Sequence, residues 1–119
     1  MALTANVRHL GDVAVVDLDG RITLGESTGF LREKLRQLLA QGTRKIVLNL
    51  AKVPYVDSAG LGELVGLYIT AKNQGGAVKL LNLQKKLSDL LSITKLQTVF
   101  ETYDSEQRAV GSFAQTATA

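Results

Sequence analysis

The spacing of apolar positions along this chain switches back and forth between the period of a strand and that of a helix. "ANVRHL" followed by Gly11-Asp12, and then the β-branched run "VAVVDLDG" (Val13 to Gly20) ending on an Asp-Gly turn signal, predict a hairpin of two strands. Over residues 26–41, Leu31, Leu35, Leu38 and Leu39 recur at helical spacing, and Gly42 stops the run. "KIVLNL" (Lys45 to Leu50) is a short, mostly apolar run of the kind a sheet buries on both faces. Leu61, Leu64, Val65, Tyr68 and Ala71 mark one face of a second helix, ended by Gly75-Gly76. "AVKLLNL" (Ala77 to Leu83) predicts a further strand, and "QKKLSDLLSITKL" predicts a third helix through Leu87, Leu90 and Leu91. "TVFETY" reads as a short last strand, and "DSEQRAVGSF" as a final helical turn or two capped by Asp104 or Ser105. The closing "AQTATA" is small and polar and reads as frayed, so the expected organisation is one domain over residues 1–112 and a flexible tail over 113–119.

The order β-β-α-β-α-β-α-β predicts an α/β fold: a mixed, mostly parallel sheet of four to five strands, packed with three or four helices through right-handed crossovers. The first hairpin adds the antiparallel strand. In such sheets, ligands and partners meet the loops beyond the carboxyl ends of the strands. Two loops open on that edge, "GRITLGES" before the first helix and "AKVPYVDSAG" before the second. The lone proline, Pro54, stiffens the approach to the second helix.

Composition narrows the class. With 119 residues, 45% of them hydrophobic and 21% charged, the chain suits one globular domain. Three Tyr, three Phe and no Trp leave the core to Leu, Val and Ile. The absence of cysteine excludes disulfides and thiolate metal sites and fits a reducing compartment. No stretch approaches the roughly 20 apolar residues of a membrane helix, and "MALTANVRHL" has no signal-peptide core, so a cytoplasmic protein away from membranes is expected. The net charge of +3 is scattered, without the dense basic stripe or interleaved aromatics of a nucleic-acid binder.

The chemistry-bearing candidates gather in "YVDSAGLGELVGLY", residues 55–68. As a hydrolase nucleophile, Ser58 lacks the first glycine of G-x-S-x-G, and the chain's one histidine, His9, falls in the first strand. "GLGELV" misses the dinucleotide fingerprint because its last glycine, Gly66, comes one residue late, and no phosphate-binding loop with G-K-[ST] is present. Asp17, Asp19, Glu26 and Asp57 form no ligand ladder, so neither metal nor cofactor is expected. What remains is the helix mouth, whose free N–H groups and dipole favour an anion. Asp57 or Ser58 caps it. Gly60, Gly62 and Gly66 each cost about 1 kcal/mol relative to alanine inside a helix, which suggests that something approaches the backbone closely. A bare helix mouth suits a protein partner, and a hydroxyl at its centre suits a phosphoryl group.

These residues carry a resemblance. "VLNLAKVPYVDSAGLGELVGLYITAKNQGGAVKLLNL", with "LDGRIT" upstream and "LSDLLSITKLQTVFETYDSEQRAV" downstream, resembles the STAS domain family, in particular its stand-alone bacterial anti-sigma factor antagonists, over about Val7 to Gly111. The most specific motif is Asp57-Ser58-Ala59-Gly60-Leu61-Gly62, which the family writes D-S-[S/A/T]-G-L-G. The resemblance implies a single STAS-like domain without catalysis of its own. Its unphosphorylated form would bind an anti-sigma factor, a histidine-kinase-like ATPase acting as a serine kinase, and so free a sigma factor. Phosphorylation of Ser58 would reverse this, and a phosphatase would restore the binding form. It also implies a partner surface of Thr23, Gly25, Glu26, Asp57, Ser58, Ala59, Gly60, Leu61 and Gly62, with Ser27 at its border. The chain departs from the family in one place. After the G-x-[I/L] of the first loop the family often carries an acid, whereas this chain has Thr23, which keeps hydrogen-bonding capacity without the charge or serves as a turn or cap residue. The alternative implied by the family is a non-enzymatic subunit of a lipid-transport or stress-signalling complex.

Overall fold

Two-residue alternation in the second strand sorts its side chains between two cores. In this computed structural model, which describes residues 3–117, strand β1 (Thr4–Leu10) pairs antiparallel with β2 (Val13–Asp19). The turn between them places Gly11 at φ 63, in the left-handed region that glycine adopts without strain. Helix α1 (Glu26–Ala40), strand β3 (Lys45–Lys52), helix α2 (Ser58–Asn73), strand β4 (Ala77–Leu81), helix α3 (Lys85–Ile93), strand β5 (Thr102–Tyr103) and helix α4 (Glu106–Ala117) follow. The sheet order is β1-β2-β3-β4-β5, parallel from β2 onward. Because each crossover steps the same way and is right-handed, α1, α2 and α3 all land on one face.

That face carries the larger core. Ala14, Val16 and Leu18 of β2 and Ile46, Leu48 and Leu50 of β3 pack with Leu31, Leu35, Leu64, Leu67 and Leu91 of the three helices. The alternate residues Val13, Val15 and Val47, with Leu81, form a second core with Ala109 and Phe113 of α4. Both faces of the central strands are thus covered, which is why "VAVV" and "KIVLNL" lack polar alternation. Arg8 of β1 ties α4 to the sheet edge: it donates to Asp17 at 2.6 Å and to Glu106 at 2.5 Å.

The C-terminal third differs from expectation. Most of "TVFETY" is not a strand: Leu96–Thr98 form a turn of 3-10 helix, Lys95 turns the chain at φ 63, and only Thr102–Tyr103 pair with β4. Phe100 is buried edge-on to Tyr68, ring centres 5.5 Å apart, so its bulk is used in helix packing instead of a ladder. Helix α3 stops at Ile93, where the Thr94 hydroxyl donates to the Leu90 carbonyl at 2.7 Å. Strand β4 ends at Leu81, before Asn82 at φ 59. Helix α4 is 12 residues long, not a turn or two; it runs past residue 112 into the expected tail, and Phe113 is buried. The last two tail positions, 118 and 119, lie outside the described residues.

Candidate functional site

Beyond the carboxyl ends of β2 and β3 the chain continues as two loops held side by side. Ile22 and Val56 form a parallel bridge. The Ile22 amide donates to the Tyr55 carbonyl at 3.1 Å, and the Asp57 amide donates back to the Ile22 carbonyl at 3.2 Å. Asp57 is the N-cap of α2: its carboxylate accepts from the Gly60 amide at 2.7 Å and from the Leu24 amide at 3.0 Å. One side chain therefore caps the helix and fastens the first loop to it. Of the two capping candidates, the cap is Asp57.

These N–H donors, Gly60 first and then Leu24, hold the Asp57 carboxyl below its ordinary value of 3.8. A lowered folded-state value means a contribution that is complete above about pH 4 and is lost as the pH falls through the folded value. Asp57→Asn is thus expected to be less stable than wild type at neutral pH, with the gap closing below about pH 4. Urea unfolding midpoints across an acid series measure this.

Ser58 is the first residue of α2 and is exposed, and among the described residues its hydroxyl makes no hydrogen bond. Ala59 is half-buried and Gly62 exposed. Gly60 and Leu61 point inward, and Leu61 belongs to the larger core. On the other loop, Thr23 is half-buried, and Gly25 and Glu26 are exposed at the start of α1. The Thr23 amide donates to the Ser27 hydroxyl, which donates in turn to the Thr23 carbonyl, both at 2.8 Å. Thr23 thus takes part through its main chain, and its hydroxyl makes no hydrogen bond among the described residues. Asp57 brings the two groups of expected contact residues together through Leu24. Leu24 and Tyr55, which sequence reasoning passed over, flank them with 79% and 45% of their surface exposed. An apolar residue between Thr23 and Gly25 in a polar loop is the signal that marks Leu24.

The three glycines divide. A Cβ on Gly60 would lie 2.1 Å from the Ile22 carbonyl oxygen, so the close approach is made by the chain itself. Gly62 and Gly66 have open space where a Cβ would stand. Gly66→Ala is therefore expected to stabilise the domain by about 1 kcal/mol, read as a higher urea midpoint with an unchanged slope.

His9 pairs with Ala14 near the start of β2, at the opposite edge of the sheet from Ser58. The histidine therefore does not stand beside Ser58 as the base of a Ser-His pair. Among the described residues no group of His, Asp and Glu is arranged to hold a metal.

Fold and site together define a small α/β domain that displays a serine at a capped helix mouth. The STAS domain profile matches residues 4–109, and the chain belongs to the STAS domain family. It is 37% identical over 101 residues to the anti-sigma-B factor antagonist of Bacillus subtilis, covering 85% of this chain and 91% of that one. An anti-sigma factor antagonist from Mycobacterium paratuberculosis superposes with a TM-score of 0.78 at 21% identity, over 92% of each chain. The Bacillus cell fate determinant SpoIIAA in its phosphorylated form superposes with a TM-score of 0.71 at 19% identity, over 92% of this chain and 99% of that one.

Proposed function

We propose that this protein is an anti-sigma factor antagonist of the cytoplasm, switched by phosphorylation of Ser58. In the unmodified form it binds an anti-sigma factor, a histidine-kinase-like ATPase, and a sigma factor is released. The bound ATPase then phosphorylates Ser58: the bond from Oγ to the γ-phosphorus forms, the bridge between the β- and γ-phosphates breaks, the hydroxyl proton is released to solvent, and ADP leaves. The complex dissociates, and a phosphatase restores the binding form. The protein is the substrate of this cycle and needs no cofactor of its own.

The observation that carries the reading is an exposed hydroxyl with no hydrogen bond among the described residues, at a helix mouth whose cap is already filled by Asp57. A serine required for capping would be engaged; this one is available. The likeness to the B. subtilis antagonist supplies the partner class, and SpoIIAA, with the same fold, exists in a phosphorylated form. The docking surface is formed by Thr23, Leu24, Gly25, Glu26, Tyr55, Asp57, Ser58, Ala59 and Gly62. Gly60 and Leu61 support it from beneath. With Thr23 in place of an acid, recognition by the kinase rests on shape and hydrogen bonding at that position.

Incubation with ATP and the anti-sigma factor ATPase of its own cell tests the reading. The expected result is one added phosphoryl group by intact mass, mapped to Ser58 and absent from Ser58→Ala. Modification elsewhere, or equal modification of Ser58→Ala, overturns it.

A further inference from the structure

Beside Ser58 a groove of about 310 Å³ lies between the loop before α2 and helix α3. Tyr55, Leu87 and Leu90 wall it, and its polar groups are Asp57, Ser58 and Lys86. The Asp57 carboxylate is occupied by the Gly60 and Leu24 amides. Lys86 forms no ion pair among the described residues, whereas its neighbour Lys85 pairs with Asp89 at 3.0 Å and Arg32 of α1 pairs with Glu63 at 2.6 Å. Lys86 is also badly placed for its own helix. It is the second residue of α3, whose first turn has no acid, and a cation there opposes the helix dipole. A cation at a helix N-terminus with no ion pair among the described residues, sharing a groove with the exposed Ser58 hydroxyl, has the character of a counter-ion awaiting an anion.

We infer that Lys86 is a positioning residue for the phosphorylated state: its ammonium pairs with the phosphoryl group on Ser58 across the groove and offsets the repulsion from Asp57. This rests on Ser58 as the acceptor. Phosphorylation would then add charge to the docking surface and also place an ion pair across the loop–α3 groove.

The test installs phosphoserine at position 58 during translation, so no kinase is needed. Phosphorus NMR then follows the second ionisation of the phosphate, ordinarily near 6, in otherwise wild-type protein and in Lys86→Gln and Lys85→Gln. An ion pair favours the dianion, so Lys86→Gln is expected to raise the midpoint by a few tenths of a unit, roughly what an exposed pair contributes. Lys85→Gln should leave it in place, and the Lys86 effect should shrink in high salt. Equal midpoints in wild type and Lys86→Gln overturn the inference, as do equal shifts from both lysines, which would report only a diffuse positive field. Because the phosphate is installed directly, a failure of the kinase reaction leaves this readout intact, and the two readings fail separately.

Discussion

Gly60→Ala is expected to destabilise the domain by about 3–4 kcal/mol, a large share of the 5–15 kcal/mol that holds a typical small domain together. The added methyl would stand 2.1 Å from the Ile22 carbonyl oxygen and 2.9 Å from its carbon, and both are backbone atoms that cannot rotate away. The same carbonyl accepts the Asp57 amide, and Ile22 bridges Val56, so relief requires the two site loops to part. Parting them also breaks the Asp57 contact to the Leu24 amide. Gly62→Ala and Gly66→Ala, two and six residues further along the same helix but with open space at Cβ, serve as controls that should not destabilise. Urea unfolding at neutral pH separates the three. A Gly60→Ala protein as stable as wild type would contradict the close packing of α2 on Ile22.

Ser58→Asp is expected to weaken binding of the anti-sigma factor at least tenfold, equivalent to about 1.4 kcal/mol, while Ser58→Ala binds as tightly as wild type and cannot be released by ATP. The reasoning separates fold from interface. A carboxylate at the first position of α2 sits where the helix dipole favours negative charge, so both variants should stay within about 0.5 kcal/mol of wild-type stability. The serine hydroxyl makes no hydrogen bond among the described residues, so alanine removes none. In the complex, the aspartate adds a charge beside Asp57 at a surface where water is excluded, and like charges there cost more than in solvent. Calorimetric titration of each variant against the partner decides this. Equal affinities for the two variants would contradict the proposed switch.

The parts of this fold that the residues announce are those where burial and periodicity agree. The continuous apolar runs of β2 and β3 reflect cover on both faces, and Leu31, Leu35, Leu38 and Leu39 mark the inward side of α1. That the two loops meet at one edge was legible from topology, because both follow the carboxyl ends of parallel strands. The C-terminal third was obscured because an apolar residue reports burial and not its manner: Phe100 is buried by a helix, not by a ladder. Helix α4 was under-read because few large apolar residues mark its buried side, chiefly Phe113. Part of its packing runs through Lys79, an inward strand lysine that is 3% exposed, donates to Ser112 at 2.8 Å, pairs with Glu101 at 3.2 Å and lies 4.3 Å from the Phe113 ring centre. No hydrophobic period discloses a buried ammonium. The glycines of the helix mouth were read together, yet Gly60 answers to a carbonyl 38 positions earlier in the chain, a contact that only the folded loops create. Leu24 and Lys86 likewise join the site through the fold, one by Asp57 and the other by the groove.

The central claim is that a phosphoryl group on Ser58 acts at the interface and leaves the fold intact. Calorimetric titration of the anti-sigma factor with singly phosphorylated and unphosphorylated protein, each first shown to unfold at the same temperature, tests it most directly. The account predicts at least a tenfold loss of affinity on phosphorylation. Equal affinity of the two forms would contradict it.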